Sequence, residues 1–452
     1  MKDQALAKGL SGRLILPDSP VYDEQRKVWN GVADSRPSII VQPAGAQDIA
    51  RTLQYARENN LPLSIKGGGH SVAGLGACDA GVMLDMSCMK ATLVDAENQT
   101  VTAGAGLTWG ELDTETQQVG LATTGAVISS VGIAGSTLGG GYGWLMGRHG
   151  LACDNVLSMD LVDAQGDMIT ASKRENADLF WALRGGGGNF GVVTSITYQL
   201  HPVAKLMGGF MLHPLHEASA FLDFFTDFYA QAPDDMLALV MQFKLTSGLA
   251  GIGAFVAYPG SLEQGEKVLA PLQAYGKPML NQIKSYDYCD LQKLLDFTAP
   301  HGNSYRAKSS YINLPKSGGG LPSGNIFSKL PQKDVNAVVE LQYLPKSISQ
   351  IQREDNAFGH RHLYNNLVML ASWALPGENE LAVRWLENGF SQYAPYFEKA
   401  VYVNYIGNAE HEPPNRVADA YTGATLARLK RVKARFDPEN CFNANQNILP
   451  AD

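Results

Sequence analysis

Between residues 46 and 58 the apolar side chains of Ile49, Leu53 and Ala56 recur at helical spacing, so the segment predicts an amphipathic helix. The apolar runs on either side, 37–42 and 61–66, have strand length, and the three together predict a β-α-β unit. Strand-like segments continue at 82–85, 91–95 and 100–104, followed by a helix over 108–119. Strands at 160–162 and 168–171 predict a hairpin, a helix over 177–183 stops at the glycines of 185–188, and a strand over 191–200 closes this half. From about residue 205 the segments lengthen. Strands are predicted over 237–245, 251–258, 337–344 and 367–372, helices over 218–230, 263–270, 288–296 and 378–393, and a last helix over 424–436. Residues 314–324, rich in glycine, serine and proline, predict a loop or lid inside this second part.

Glycine changes this picture most. The chain has 47, crowded into 67–81, 104–110, 132–150 and 185–191, so the first half needs backbone that no side chain obstructs. Directly after the second strand stands Gly67-Gly68-Gly69-His70-Ser71, where successive N–H groups can converge on a phosphate. Taken alone, His70 reads as a turn histidine with its polar atoms satisfied near the core. Gly139-Gly140-Gly141-Tyr142-Gly143 has the wrong spacing for a dinucleotide fingerprint, and no Walker A or GxSxG sequence occurs. An ordinary Rossmann NAD site, phosphoryl transfer and serine hydrolysis therefore lack their parts.

Composition narrows the class further. With 452 residues, 45% hydrophobic and 18% charged, the chain predicts two or three units with sizeable buried cores. The net charge of −8 carries no basic block, which argues against nucleic acid as a partner. No run of 18 apolar residues exists, and the first ten residues lack a secretory leader, so the expectation is a cytoplasmic protein, monomer or homodimer, with no membrane contact. The five cysteines include no CxxC pair, no HExxH occurs, and His360-Arg361-His362 is a bare alternation; neither a disulfide framework nor a metal site is expected.

Read in order, the stretch from Ser64 through Gly67-Gly68-Gly69-His70-Ser71, then Gly139-Gly140-Gly141-Tyr142-Gly143, then Asp178 through Gly185-Gly186-Gly187-Gly188-Asn189-Phe190-Gly191 to Thr194, resemble one family. It is the berberine bridge enzyme-like branch of the FAD-linked oxidases, within the vanillyl alcohol oxidase superfamily. Tyr402-Val403-Asn404-Tyr405, Phe436-Asp437-Pro438-Glu439-Asn440 and Asn445-Gln446-Asn447-Ile448 match as well, so the resemblance spans nearly the whole chain. It implies an α+β fold: a two-part PCMH-type FAD-binding domain (1–204, with a berberine bridge-like segment, 411–452, returning to it) and an inserted substrate domain (205–410), an antiparallel sheet covered by helices.

The same resemblance implies roles. His70 would join the flavin at its 8α-methyl carbon, and the preceding glycines would hold the pyrophosphate. Gly67, Gly68, Gly69, Ser71, Ser130, Val131, Gly132, Gly140, Gly143, Val193, Asn404 and Asn445 would contact FAD. Many relatives add a cysteinyl bond; here Ile128 stands at the matching position, which implies a single covalent link, and Cys153 sits at the wrong place to replace it. Tyr142, Tyr402 and Tyr405 would face the substrate, with Tyr142 the foremost base, its pKa lowered by a neighbouring cation or the flavin edge. Gln350, eight residues before Phe358-Gly359-His360-Arg361, stands where plant relatives carry a catalytic glutamate; Glu340 and Gln342 are secondary candidates. Val131 stands where relatives carry a small gatekeeper for oxygen. The implied activity is removal of a hydride from an alcohol, hemiacetal or amine carbon of a small molecule, with O₂ as acceptor and hydrogen peroxide as product. Alcohols rank above amines because Gln350 and the tyrosines are neutral. A flavin-dependent cyclase, desaturase or dehydrogenase is the alternative, and a flavin binder without turnover a third reading.

Overall fold

The computed structural model describes residues 2–313, 324–327, 334–352, 354–362, 365–374, 377, 379–413 and 415–452. The expected loop over 314–324 lies outside the described residues apart from Gly324, which opens a short 3₁₀ turn. The chain folds as a mixed α and β structure around three main sheets.

The helix Ala46–Glu58 buries Ile49, Leu53 and Ala56, as its spacing predicts. Its flanking strands, Ile39–Gln42 and Leu63–Lys66, run parallel but do not pair; Val82–Asp85 lies between them, and Arg13–Ile15 adds an antiparallel edge. The second sheet is antiparallel, in the order Thr92–Asp95, Thr100–Gly104, Val192–Gln199, Val156–Val162, Met168–Ser172. It packs beneath the helices Trp109–Gln117, Ala177–Leu183 and the C-terminal Gly423–Phe436, whose Leu429, Val432 and Phe436 join the same core as Leu179 and Phe180. The tail thus returns to the first half of the chain.

The third sheet has eight strands, all between residues 205 and 373, and is antiparallel throughout. Helices Ala218–Ala230, Leu262–Gln273 and Glu380–Gln392 cover one face, with Phe221, Phe225, Leu269 and Trp385 over Val240, Leu341 and Val256. The other face turns Leu239, Met241 and Phe255 toward Tyr142, Trp144 and Met146 of the first half. The sheet therefore stands as a wall between the helices and the glycine loops.

Four of its strands escape the hydrophobic pattern: Lys205–Pro214, Leu280–Asn281, Lys284–Asp287 and Ser304–Tyr311. Lys205–Pro214 is interrupted by Gly208 and Gly209 because a Cβ on Gly209 would stand 2.1 Å from the Gln282 carbonyl, at a φ of +124°. Ser304–Tyr311 is mostly polar because Ser309 and Ser310 bond neighbouring segments instead of packing as hydrophobes. The stretch around Tyr402 is a 3₁₀ turn over Val403–Tyr405, closed by the Tyr405 N–H on the Tyr402 carbonyl. Among the described residues, no helix is long and apolar enough to cross a membrane.

Candidate active site

The glycine loops, the sheet wall and the C-terminal tail enclose a cavity of about 420 Å³, a volume typical of cofactor and small-molecule sites. His70 enters it from the loop that follows Leu63–Lys66. That loop needs its glycines: Gly69 has φ +67°, and a Cβ on Gly68 would lie 2.4 Å from the backbone nitrogen of Gly132, so the two loops press together backbone to backbone. The His70 ring stacks on Trp29 at 4.3 Å, and the other face of Trp29 stacks on Tyr305 at 3.9 Å. Trp29 is itself fixed by its indole N–H on the Ala299 carbonyl at 2.9 Å. His70 Nε2 lies 3.2 Å from Ser130 Oγ. Burial, with His301 as a smaller cause, pushes the imidazole pKa down to about 3, so the ring is neutral at ordinary pH and keeps a nucleophilic lone pair. Sequence reasoning missed Trp29 and Tyr305, which carry no motif and act only through the stack.

Gly67, Gly68, Gly69, Ser71, Val131, Gly132, Val193, Asn404 and Asn445 line the cavity, and so does Ile128. Ser130 acts from behind through His70. Gly140 and Gly143 do not line it; they leave room for Phe358 and Tyr402, and for the Gly125 backbone. The wall fits FAD on two counts. A Cβ built on the lining residues Gly135 or Gly188 meets no atom within 4 Å, so these backbones border open space. Asn445 Oδ1 is buried without a protein partner while its Nδ2 donates to Gly188 O and Phe442 O, which leaves an acceptor for a ligand. No Lys or Arg is among the described lining residues, so backbone N–H groups would meet the pyrophosphate.

At the sheet wall lies a tyrosine cluster. Tyr142 stacks on Tyr402 at 4.1 Å and shares a 2.5 Å hydrogen bond with Tyr311. The Tyr402 oxygen accepts from the Gly141 N–H and from Asn404 Nδ2, both at 2.9 Å. Tyr405 stands edge-on to Tyr402 at 4.8 Å and accepts from Gln342 Nε2 at 2.9 Å. The expected depression of the Tyr142 pKa is not found: burial, together with the neighbouring phenols, pushes it well above the usual value. Burial likewise raises Tyr402 and Tyr405.

Gln350 is displaced from its expected place. It ends the 3₁₀ turn Lys346–Gln350, is exposed, and does not line the cavity. The chain leaves the sheet at Pro345, and Ser347 Oγ donates to the Gly147 carbonyl, which pins the turn on the outside. Arg361 of the following motif is a buried structural ion pair, its Nη2 2.5 Å from Asp154 Oδ1. Cys153 is fully buried, its thiol pushed up by burial.

Glu340 and Gln342 occupy the place Gln350 was expected to hold. Alternation along Asn336–Tyr343 sends Val339, Leu341 and Tyr343 into the core under the helices and Glu340 and Gln342 to the cavity. Across the sheet Glu340 is opposite Met241 and Val368, both apolar. Gln342 Nε2 donates to it at 2.6 Å. Burial raises its pKa, and the Gln342 bond only partly offsets this.

Residues 37–172 match the family described as FAD binding domain, and 401–449 the family described as berberine and berberine like. The FAD-linked oxidoreductase YgaK of Bacillus subtilis (strain 168) is 31% identical over 98% of this chain and 97% of its own. The (R)-6-hydroxynicotine oxidase of Paenarthrobacter nicotinovorans is 29% identical over 98% of this chain and 97% of its own. The solved 6-hydroxy-D-nicotine oxidase of Arthrobacter nicotinovorans superposes with a TM-score of 0.88 at 27% identity, over 98% of each chain. With the FAD match, the glycine-walled cavity and this likeness along its whole length, the chain belongs to the berberine bridge enzyme-like FAD-linked oxidoreductases.

Proposed function

We propose that the protein is an oxidase that removes a hydride from a carbon bearing an O–H or N–H in a small organic molecule, with FAD held covalently by His70 alone. Bound FAD would supply the electron chemistry, as the acceptor of the substrate's hydride. The chain supplies a binding wall, a proton acceptor and a path for oxygen. One observation carries the reading: Glu340, with its raised pKa, is the carboxyl group among the described lining residues, the rest of which are glycines, apolar and aromatic side chains and neutral polar groups such as Gln342 and Asn404.

A general base works best with a pKa near the working pH. Burial brings Glu340 closer to that condition and takes Tyr142 further from it, so the proton of the substrate O–H or N–H goes to a Glu340 carboxylate oxygen. Tyr402, with two N–H groups on its oxygen, directs its own hydrogen elsewhere and orients the substrate heteroatom. The ranking of alcohols over amines loses its basis with Gln350 outside the cavity, because a carboxylate accepts from a neutral or a protonated amine as readily as from a hydroxyl. Ile128 in the wall supports a single covalent link, and the position of half-buried Val131 on the cavity wall supports the reading of O₂ as acceptor.

The test is a peroxide-coupled screen over sugars, alcohols and amines, 6-hydroxy-D-nicotine among them, followed by anaerobic mixing with each hit. The expected result is peroxide formation, bleaching of the flavin without air and fast recovery in air. Bleaching with recovery far slower than turnover on an artificial acceptor makes the protein a dehydrogenase; no bleaching with any member of the panel removes the oxidase reading.

A further inference from the structure

Gln342 and Asn366 are directly opposite each other on neighbouring strands. Asn366 Nδ2 donates to Gln342 Oε1 at 2.9 Å, and Ser309 Oγ, one strand further, donates to Asn366 Oδ1 at 3.0 Å. In this orientation the Gln342 amide turns its N–H pair to the cavity, one to Glu340 at 2.6 Å and one to Tyr405 at 2.9 Å. All three relay side chains are 2% exposed or less, so an unmade hydrogen bond at any of them costs stability. The arrangement suits an ionised Glu340. Once Glu340 holds a proton, its O–H needs an acceptor, and the Gln342 N–H faces it instead.

A half-turn of each amide, which exchanges its oxygen and nitrogen in place, resolves the conflict. Gln342 then presents Oε1 to the Glu340 O–H and to Tyr405, which becomes the donor. The Gln342 N–H donates to Asn366 Oδ1, and Asn366 Nδ2 donates to Ser309 Oγ, a hydroxyl that serves as donor or acceptor. We propose that Ser309, Asn366 and Gln342 form a reversible amide relay that hydrogen-bonds Glu340 in both its ionised and its protonated form, with Asn366 as a positioning residue. The inference deepens the reading of Glu340 as proton acceptor and rests on it for its consequence in catalysis. A single proton moves, from the substrate O–H or N–H to Glu340, and no electron is involved.

The other titratable groups near Glu340 do not interfere. They are the lining residues His70, Tyr142, Tyr402 and Tyr405, with Tyr311 behind Tyr142. Burial keeps the phenols above and the imidazole below their usual values, so all are neutral where Glu340 titrates.

The experiment uses the flavin-loaded enzyme. Infrared difference spectra, with Glu340→Gln to identify the band, give the midpoint of the Glu340 carboxyl. Neutron diffraction from crystals held above and below that midpoint then locates the deuterons on Gln342 and Asn366. The relay predicts both amides reversed between the two pH values; one unchanged orientation at both overturns it. Where its carboxyl is ionised, Asn366→Asp accepts only, so it should there pin Gln342 with Oε1 toward Glu340 and raise the proton affinity of Glu340 at least about tenfold. If the acid limb of substrate-driven flavin reduction moves by the same factor, Glu340 is the proton acceptor as well. If the infrared midpoint moves and the kinetic limb does not, the relay holds and the assignment of Glu340 as base fails. Should the variant not fold, the neutron result on the native protein decides alone.

Discussion

Glu340 is placed by period and register: it lies on the cavity side of its strand, facing apolar neighbours that hold its carboxyl above the usual range. Glu340→Gln should therefore slow flavin reduction by roughly 10² to 10⁴, the usual worth of a general base, with flavin content unchanged. The native rate should fall as pH drops through the raised Glu340 pKa, and the variant should lose that limb; stopped-flow reduction across pH reads both. Asp113 makes a second residue-scale case. It is buried on Trp109–Gln117, neither carboxylate oxygen has a protein partner, and burial raises its pKa well above the usual value. A group so raised holds its proton longer in the folded than in the unfolded chain, so its contribution is full below the unfolded pKa and is lost as pH rises toward the folded one. Asp113→Asn should melt close to the native protein in acid and above it at about pH 8, as paired thermal scans will show. His70 stood out in the sequence only through the family resemblance, since alone a histidine after three glycines reads as a turn residue; the fold places it in the cavity wall. Glu340 stood only second in the sequence, because a spacing carried over from relatives put Gln350 first, although the strand predicted over 337–344 already ends before Pro345.

At the scale of elements, the decisive contact is between two loops. Gly68 and Gly132 meet backbone to backbone, and neither tolerates a Cβ without moving the other. Gly68→Ala should force the loops apart and tilt His70 off Trp29. The expected outcome is protein with less than about a tenth of the native covalent flavin, measured by in-gel fluorescence, while far-ultraviolet circular dichroism stays native; full flavin loading would show that the loops yield cheaply. Helices with a clear apolar stripe, such as Ala46–Glu58 and Ala218–Ala230, were legible to the residue. Lys205–Pro214 and Ser304–Tyr311 were not. Their glycines and serines answer to the Gln282 carbonyl, to Asn366 and to the Ala400 carbonyl, all partners far away in the chain. The 3₁₀ turn at Val403–Tyr405 was hidden for a similar reason, since Tyr402 and Asn404 are turned by hydrogen bonds to Gly141 and Ser136.

For the whole molecule, the cavity exists only because distant segments close on it: the loops at 67–72 and 126–138, the sheet wall, the turn at Tyr402 and the tail at 442–446. The buried pair of Lys433 and Asp437, 2.6 Å apart, anchors that tail, with Lys433 also donating to the carbonyls of Asn189 and Phe442. The order of the motifs was legible because each must reach the same ligand, whereas the shape of the cavity depends on side chains from many separate segments. The claim that unites these parts is that the cavity holds FAD by one bond to His70. Acid precipitation followed by mass spectrometry of tryptic peptides tests it most directly. The flavin should remain with the chain, on the peptide that contains His70 and on no cysteine peptide. An unmodified His70 peptide from flavin-loaded protein, or a flavin on any cysteine, would contradict the account.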